Sequence, residues 1–169
     1  MPIALFLIGI PYSGKSTFVN TLFPDIESRD DWVLISSDYW IEKEADEQGK
    51  DFNEVFQDQI KIATEKMYDD LVLAKLNKQN IIWDQTNIDE KTRWPKISKL
   101  DSYTIIAINF SPPEDLKERQ EKREKKISDS LIASFAKRYQ EPRLSEGFDY
   151  VFQAKDIEEI QKLISEFKT

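Results

Sequence analysis

The sequence has no cysteine and no histidine, and it has only four glycines among its 169 residues. Without cysteine the chain forms no disulfide and no thiolate metal site. Without histidine it has neither an imidazole base nor an imidazole zinc ligand, so a general base here must be a carboxylate or a lysine. Two of the four glycines, Gly9 and Gly14, stand close together near the N-terminus and mark the first stretch with recognisable chemistry.

Acidic residues outnumber basic ones by 32 to 24, which gives a net charge of −8 at pH 7. This balance argues against a broad electrostatic grip on nucleic acid, because such binding neutralises many phosphates, but it leaves room for a small basic pocket. The N-terminal apolar run is only about seven residues long and has no basic leader, so we expect no signal peptide, no membrane span and a cytoplasmic protein. The length predicts one domain over residues 1–169.

The stretch from Gly9 to Thr17 fits the pattern G-x-x-x-x-G-K-[ST], directly after an apolar run and directly before a helical pattern. Such a P-loop wraps a phosphate chain with backbone N–H groups, and its glycines let the backbone bend closely around the chain. A chance match is the alternative, and the position between a strand and a helix weakens it. The pattern therefore predicts binding of ATP and Mg²⁺. The residues expected to bind the nucleotide are Gly9, Tyr12, Ser13, Gly14, Lys15, Ser16 and Thr17.

Three residues of this loop have more specific expectations. Lys15 is expected to reach the β- and γ-phosphates, and Ser16 to ligate Mg²⁺. The helix that starts here would place its positive dipole end beneath the phosphates. Tyr12 either stacks on a base or shields the loop, and we expect the second.

Short apolar runs alternate with helical patterns along the chain, which predicts an α/β fold with a five-stranded parallel sheet. The predicted strands are Pro2–Ile8, Trp32–Ser36, Ile81–Trp83, Tyr103–Phe110 and Tyr150–Phe152. Apolar residues at intervals of three and four predict a long helix from Phe56 to Ala74 and a C-terminal helix whose buried stripe runs from Ile157 to Phe167. The polar stretch from Glu42 to Asp51 is predicted to be a mobile loop.

Polar residues follow the second and third predicted strands, at the sheet edge where open α/β sheets hold their ligands. After the second strand stands Asp38, which is either the N-cap of a helix or a catalytic residue, and we expect the second. After the third strand stands Asp84, which is either a turn residue or part of a Mg²⁺ site, and again we expect the second. Trp40, Thr86 and Asn87 lie beside them and are expected to contact the substrate.

The segment from Glu114 to Tyr139 is predicted to be a helical lid. Ser111-Pro112-Pro113-Glu114 fits a capping box with proline at the first helical position, so a helix is expected to start here and to continue to Lys126. This helix is almost entirely charged, and the alternative is a solvated helix with i,i+4 ion pairs. Arg119 and Arg123 are four residues apart and would share one helix face, where both could close over a triphosphate. A second helix, from Ser128 to Tyr139, is expected to return to the core.

In this order, the P-loop, the Ser-Asp pair at Asp38, the D-x-T-N stretch at Asp84 and the R-x-x-x-R pair at Arg119 resemble the 5′-polynucleotide kinase branch of the P-loop kinases. The resemblance covers nearly the whole chain. It implies a three-layer P-loop kinase sandwich with a helical lid. It further implies that Asp38 is the general base for an attacking 5′-hydroxyl, that Lys15 and Ser16 serve phosphate and Mg²⁺, and that the two arginines contact the phosphates during transfer.

The acceptor stays open between three hypotheses. The motif order favours the 5′-OH end of DNA or RNA. The acidic net charge, and Ile41 at a position where a bacteriophage member of the family has an arginine for the acceptor's phosphate, favour a kinase of a small metabolite, a nucleoside or an aminoacyl-tRNA. The third hypothesis is a non-catalytic module in which ATP only holds the lid closed, and the carboxylate at Asp38 argues against it.

Overall fold

The computed structural model describes residues 1–124 and 126–167. Lys125, which falls inside the predicted lid, and positions 168 and 169 of the predicted domain lie outside the described residues. The strands are Ile3–Ile8 (β1), Trp32–Ile35 (β2), Asn80–Asp84 (β3), Thr104–Asn109 (β4) and Tyr150–Gln153 (β5). The α-helices are Lys15–Leu22 (α1), Ser37–Gln48 (α2), Phe52–Leu76 (α3), Glu90–Ile97 (α4), Leu116–Glu121 (α5), Asp129–Arg138 (α6) and Ile157–Glu166 (α7).

The five strands form one sheet in the order β2-β3-β1-β4-β5, and every neighbouring pair is parallel. All six residues of the central strand β1 are buried. Its alternate side chains enter two separate cores: Phe6 packs with residues of α3 and α4, and Leu5 packs with residues of α1 and α7. Helices therefore cover both faces, and the predicted five-stranded parallel sheet in a three-layer α/β sandwich is confirmed.

The sheet order places the carboxyl ends of β1 and β3 side by side. Leu7 near the end of β1 pairs with Asp84 at the end of β3. The next strand outward, β2, ends at Ile35, which pairs with Trp83. The P-loop, the segment after β2 and the segment after β3 therefore leave the sheet at one edge, as the parallel arrangement requires.

The stretch predicted to be a mobile loop, Glu42–Asp51, is helical through Gln48, and that prediction is wrong. Ser36 caps α2, because its hydroxyl accepts a hydrogen bond from Tyr39 N at 3.2 Å. The helix buries Ile41 and Ala45 against α3, and Gly49 ends it in the left-handed conformation at φ 62°. Ile41 and Ala45, one turn apart, together with Trp40, give this otherwise largely polar helix an apolar side that packs against α3.

The predicted helix from Glu114 to Lys126 is also wrong in its extent. The observed α5 begins after Asp115 and ends at Glu121, and none of its residues is buried. The following helix α6 starts after Ser128, as the sequence predicts, but it buries only Ile132 and leaves Leu131 exposed. A highly charged segment with little apolar surface to bury forms short helices, because tertiary packing supplies most of the stability of a helix.

Two smaller differences from the predicted elements concern helix α4 and the end of helix α7. Helix α4 was not predicted, since it contains Pro95 and lacks a clear apolar period. Phe167, expected in the buried stripe of the last helix, is 38% exposed, because α7 ends one residue before it. Among the residues described, no helix combines the length and the apolar character needed to cross a membrane.

Candidate active site

The P-loop connects β1 to α1 at the carboxyl edge of the sheet. Gly9 donates its N–H to the carbonyl of Thr86 at 2.9 Å. A Cβ at Gly9 would come within 2.5 Å of Ser13 Oγ and 2.8 Å of Phe110 Cβ, so only glycine fits this position. Gly14 has φ 104° and stands immediately before the first residue of α1. The loop is therefore closely packed beneath and opens on the N-terminus of a helix, which is the geometry that receives phosphate groups.

Lys15 lies within this loop. Its Nζ donates hydrogen bonds to the carbonyls of Gly9 at 2.8 Å and Ile10 at 2.9 Å. Burial lowers the pKa of Lys15 to about 8, against the opposing attraction of the Asp84 and Asp38 carboxylates, and the charge of Arg123 lowers it further. The tertiary structure thus brings these four charged groups, which are far apart in sequence, into electrostatic contact.

Asp38 lies in the first turn of α2. Because Ser36 is the N-cap, Asp38 does not carry out the capping role that was its structural alternative. The helical spacing directs Asp38, Tyr39 and Glu42 towards the P-loop. It directs Ile41 towards α3, where Ile41 is fully buried. The start of α2 at Ser37 therefore decides which residues of this segment reach the site.

The Asp84-Gln85-Thr86-Asn87 stretch leaves β3 beside the P-loop. The Gln85 side chain accepts a hydrogen bond from Trp83 Nε1 at 3.1 Å and donates one to Ser37 Oγ at 3.1 Å, which ties the end of β3 to the start of α2. Asn87 is 1% exposed, and its amide nitrogen donates to the Leu7 carbonyl at 2.8 Å. Its side-chain oxygen accepts a hydrogen bond from Lys96 Nζ at 2.5 Å.

A buried network supports this stretch from below. Arg93 makes a bidentate ion pair with Glu146, at 2.7 and 2.8 Å, and donates to the carbonyls of Asn87 and Gln140, each at 3.0 Å. Both ionic side chains are almost completely buried. Asp149, three residues after Glu146, accepts the N–H of Ile105 at 2.8 Å. The segment from Glu146 to Asp149 thus fixes the fold around the site without lining it.

Arg119 and Arg123 lie beside the P-loop, in and just after α5. Arg119 donates to the carbonyl of Tyr12 at 3.2 Å and pairs with Asp115 at 2.7 Å. The two arginines do not share a helix face as predicted, because α5 ends at Glu121 and Arg123 lies beyond the end of that helix. Even so, both line the same cavity.

Two cavities adjoin the P-loop. The first, which we call the basic cavity, has a volume of about 610 Å³ and contains four cationic side chains and no acidic one among the described residues that line it. Its basic residues are Arg119, Lys122, Arg123 and Lys155. Aromatic and aliphatic side chains supply the remaining wall, among them Phe18, Phe110 and Ile157. Ser13, Gly14 and Thr17 contribute the P-loop side.

The second, which we call the acidic cavity, has a volume of about 350 Å³. Its acidic residues are Glu27, Asp38, Glu42 and Asp84, and its cations are Lys15 and Arg123. Ser16, Gln85 and Thr86 also line it, and Tyr39 forms part of its wall. Tyr12, Gly14 and Arg123 belong to both linings, so the P-loop and Arg123 separate the two cavities.

Two residues predicted to contact the substrate line neither cavity. Asn87 is buried beneath the site, as described above. Trp40 packs between α2 and α3, where its Nε1 donates to Asp70 at 2.7 Å and Lys43 and Lys66 lie 5.2 and 4.9 Å from its ring. The sequence predicts that Trp40 contacts the substrate, but in the structure helix α2 directs its side chain towards α3 and away from the cavity that Asp38 lines.

Sequence reasoning also missed several residues that line the cavities. In the acidic cavity these are Glu27, Tyr39, Glu42 and Gln85, and in the basic cavity Phe110, Lys122 and Lys155. Tyr39 and Glu42 are one and four residues after Asp38, so a correct helix start would have indicated both. Lys155 stands just after the last strand, and its position beside the P-loop depends on the sheet order, which no local pattern reveals.

The residues present fit a magnesium ion bound together with phosphates. Within the described part of the chain, no three acidic side chains cluster as a metal site of their own. Mg²⁺ commonly needs fewer protein ligands, because it keeps several waters and is held by one or two side chains plus the phosphates of a substrate. Ser16 and Asp84, which face the same cavity, suit that pattern.

A family model described as an AAA domain matches residues 5–142, so the chain belongs to this family. The match covers the P-loop, both strand-end acidic residues and the two arginines. No curated protein sequence matches the chain. The family assignment therefore rests on the family model and on the comparison with solved structures.

A chain in the Pnkp1/Rnl/Hen1 RNA repair complex is 25% identical, with a TM-score of 0.61 over 81% of this chain, and this chain spans 43% of that one. A suspected kinase from Chloroflexus aurantiacus is 19% identical, with a TM-score of 0.67 and coverage of 99% and 96% of the two chains. Shikimate kinase from Aquifex aeolicus is 14% identical, with a TM-score of 0.54 and coverage of 98% and 96%. The resemblance inferred from the motifs is thereby confirmed: the chain has the P-loop kinase fold.

Proposed function

We propose that this protein transfers the γ-phosphate of ATP to a hydroxyl group held in the acidic cavity. The observation that carries the proposal is that Asp38 and Lys15 line the same cavity and that the Asp38 carboxylate is close enough to raise the pKa of the Lys15 amine against the effect of burial. A hydroxyl bound there would have a carboxylate on one side and a phosphate-binding amine on the other. That pairing is what phosphoryl transfer to an alcohol requires.

The basic cavity is the proposed site of the ATP donor. Its apolar wall of Phe18, Phe110 and Ile157 suits a base and ribose, and its four cations suit a triphosphate. The phosphate chain would then run along residues 9–17 towards Lys15. Ser16 and Asp84 would hold Mg²⁺, which supplies neutralisation of the phosphate charge.

In the proposed reaction the acceptor oxygen bonds to the γ-phosphorus as the bond between that phosphorus and the oxygen of the leaving ADP breaks. Asp38 takes the proton of the attacking hydroxyl. Lys15 and the two arginines hold the phosphate oxygens, so that charge developing during transfer meets fixed cations. The folded-back position of Lys15 on the P-loop carbonyls keeps its amine beside the loop before the phosphates arrive.

The decisive experiment measures transfer from γ-labelled ATP with wild-type protein and with Asp38→Ala. Loss of the base should lower kcat by about 10²- to 10⁴-fold while the ATP dissociation constant changes by less than about twofold. Asp46→Ala, an exposed carboxylate on the same helix outside both cavities, is the matched control and should retain full activity. Near wild-type turnover by Asp38→Ala would remove Asp38 from the mechanism.

The first candidate acceptor is the 5′-OH end of DNA or RNA. The order of the motifs supports it, and so does the similarity to a chain of an RNA repair complex. A 5′-OH oligonucleotide should then be labelled in the assay, and an oligonucleotide that already bears a 5′-phosphate should not be.

The second candidate is a small alcohol, such as a metabolite or a nucleoside, or an aminoacyl-tRNA. A specific observation favours it: Ile41, which stands where a cation for the acceptor's phosphate would be expected, is fully buried, and the nearby wall carries Glu27 and Glu42. A panel of small alcohols assayed beside the oligonucleotide separates the two candidates by which becomes labelled. ATP binding without transfer to any acceptor would instead support a non-catalytic module in which ATP closes the lid.

A further inference from the structure

Tyr12 has a backbone conformation that a tyrosine rarely adopts. Its φ is 66°, in the left-handed region, where residues with a Cβ are uncommon outside asparagine and aspartate. Such strain persists only when surrounding contacts hold it, and a strained residue in a ligand loop directs attention to what those contacts achieve. A glycine would adopt this conformation with less strain, so the tyrosine side chain must have a separate use.

The contacts of Tyr12 reach the predicted lid at two points. Its carbonyl accepts a hydrogen bond from the Arg119 guanidinium at 3.2 Å, and its hydroxyl accepts the backbone N–H of Ile127 at 2.9 Å. The carbonyl of Ile127 in turn accepts from Gln120 Nε2 at 2.8 Å. Tyr12 therefore joins the P-loop to the lid segment on both sides of Arg123.

The residue between these two contact points that matters for phosphate binding is Arg123. It stands four residues after Arg119 and four before Ile127, outside any helix that would fix it. It lines both cavities, and its charge lowers the pKa of Lys15, so its guanidinium lies near the lysine that is proposed to contact the γ-phosphate. A side chain that lies outside a helix needs its backbone anchored if it is to be placed accurately.

We propose that Tyr12 is a positioning residue that holds Arg123 against the γ-phosphate by anchoring the lid segment to the P-loop. The inference rests on the proposed function, since it assumes that the P-loop binds ATP. Tyr12 acts through its hydroxyl on the Ile127 backbone and does not need to touch the base. Its effect should therefore appear in the discrimination between nucleotides that have and lack a γ-phosphate.

The test measures the dissociation constants of ADP and ATP, each with Mg²⁺, for four proteins: wild type, Tyr12→Phe, Arg123→Gln and the double variant. Tyr12→Phe removes only the hydroxyl and keeps the ring. It should lower the ratio of the ADP constant to the ATP constant by about 3- to 10-fold, the range for losing one positioning hydrogen bond. Arg123→Gln should lower the ratio at least as much. In the Arg123→Gln background, Tyr12→Phe should change it by less than about twofold, because coupled residues are not additive.

Tyr150→Phe is the matched control, since Tyr150 is half exposed on the edge strand β5 and lines neither cavity. It should leave the ratio unchanged. Amide exchange at Ile127 should be faster in Tyr12→Phe than in wild type, whereas a purely local change in the P-loop would leave it unaltered.

The inference is overturned if either Tyr12→Phe or Arg123→Gln leaves the ratio of the ADP to the ATP dissociation constant unchanged. It is also overturned if Tyr12→Phe lowers this ratio equally in the wild-type protein and in the Arg123→Gln variant. None of these readouts requires an acceptor. If the affinities follow the expected pattern but no hydroxyl is ever phosphorylated, the proposed function fails and the role of Tyr12 stands. If phosphate is transferred but Tyr12→Phe leaves the ratio of the two dissociation constants unchanged, the proposed function stands and the inference fails.

Discussion

The two cavities on either side of the P-loop have opposite charge although they share part of a wall. The basic cavity presents four cations, while the acidic cavity presents four carboxylates and two cations. Lys15 and Arg123 supply both cations of the acidic cavity, and both are close to the P-loop. The difference suggests a division of labour in which phosphate is held on one side and a hydroxyl is received on the other.

The two cavities also differ in how extensively the segments that line them are packed into the core. The acidic residues Asp38 and Asp84 stand at the ends of elements that pack into the core. The Gln85 side chain ties those two ends together, and the Asn87 side chain ties the segment after β3 to β1. The basic cavity takes Arg119 and Lys122 from a segment whose helix α5 buries no residue. Few buried contacts mean a low cost of local opening, which a lid requires in order to admit and release a nucleotide.

Among the substitutions that compare the two cavities, the largest effect is expected at Lys15, which lines the acidic cavity and is proposed to hold the γ-phosphate there. Lys15→Ala should lower kcat/KM for ATP by about 10²- to 10³-fold, the typical loss for one charge-stabilising donor. Steady-state kinetics with γ-labelled ATP provide the measurement, and the exposed Lys61→Ala on α3 is the control. Unchanged ATP affinity together with an unchanged rate would contradict the P-loop assignment.

Next in size is a dependence of ATP binding on pH that we assign to Lys15. Burial lowers its pKa to about 8, so in the free protein the amine loses its charge as the pH rises through that value. Bound phosphates favour the charged form, and the ATP dissociation constant should therefore rise by about tenfold between pH 7 and pH 9. Titration calorimetry across that range measures it. Lys15→Arg stays charged and should show a nearly flat profile; a tenfold rise there too would assign the effect to another group.

A smaller effect that separates the cavities is expected from Lys155. Lys155→Ala should raise the ATP dissociation constant by about 3- to 10-fold, because one phosphate or ribose contact in the basic cavity is lost. The acceptor KM should stay within about twofold of the wild-type value. Lys162→Ala, an exposed lysine on α7, is the control. An effect on the acceptor KM as large as that on ATP would show that the two cavities do not divide the substrates.

The smallest effect is expected from Glu42, which lines the acidic cavity. With a 5′-OH oligonucleotide as acceptor, Glu42→Gln should lower the acceptor KM by about threefold, because one carboxylate that repels phosphodiesters is removed. The gain should shrink at high salt, and the ATP KM should not change. Glu47→Gln on the outer side of α2 is the control. A rise in the acceptor KM would mean that Glu42 attracts its substrate, which argues for an acceptor without phosphates.

Local sequence determined more of this protein than its polar composition suggests. The P-loop pattern depends on consecutive residues, and the buried strands were recognisable because a parallel sheet covered on both faces needs continuous apolar runs. The positions of Asp38 and Asp84 just after two of those strands also followed from sequence, since parallel strands expose their carboxyl ends at one edge.

Only the tertiary structure decided which neighbours of these residues reach the cavities. Whether Trp40 or Tyr39 faces the P-loop depends on where α2 begins. The start of α2 depends in turn on the burial of Ile41 against α3, which follows later in the chain. The buried position of the Asn87 side chain depends on its hydrogen bonds with Lys96 and with the Leu7 carbonyl. Lys155 and Arg123 line the same cavity beside the P-loop only because β4 and β5 follow β1 in the sheet. A linear pattern specifies what each segment can form, whereas side-chain direction and contacts between distant segments are set by how the segments pack together.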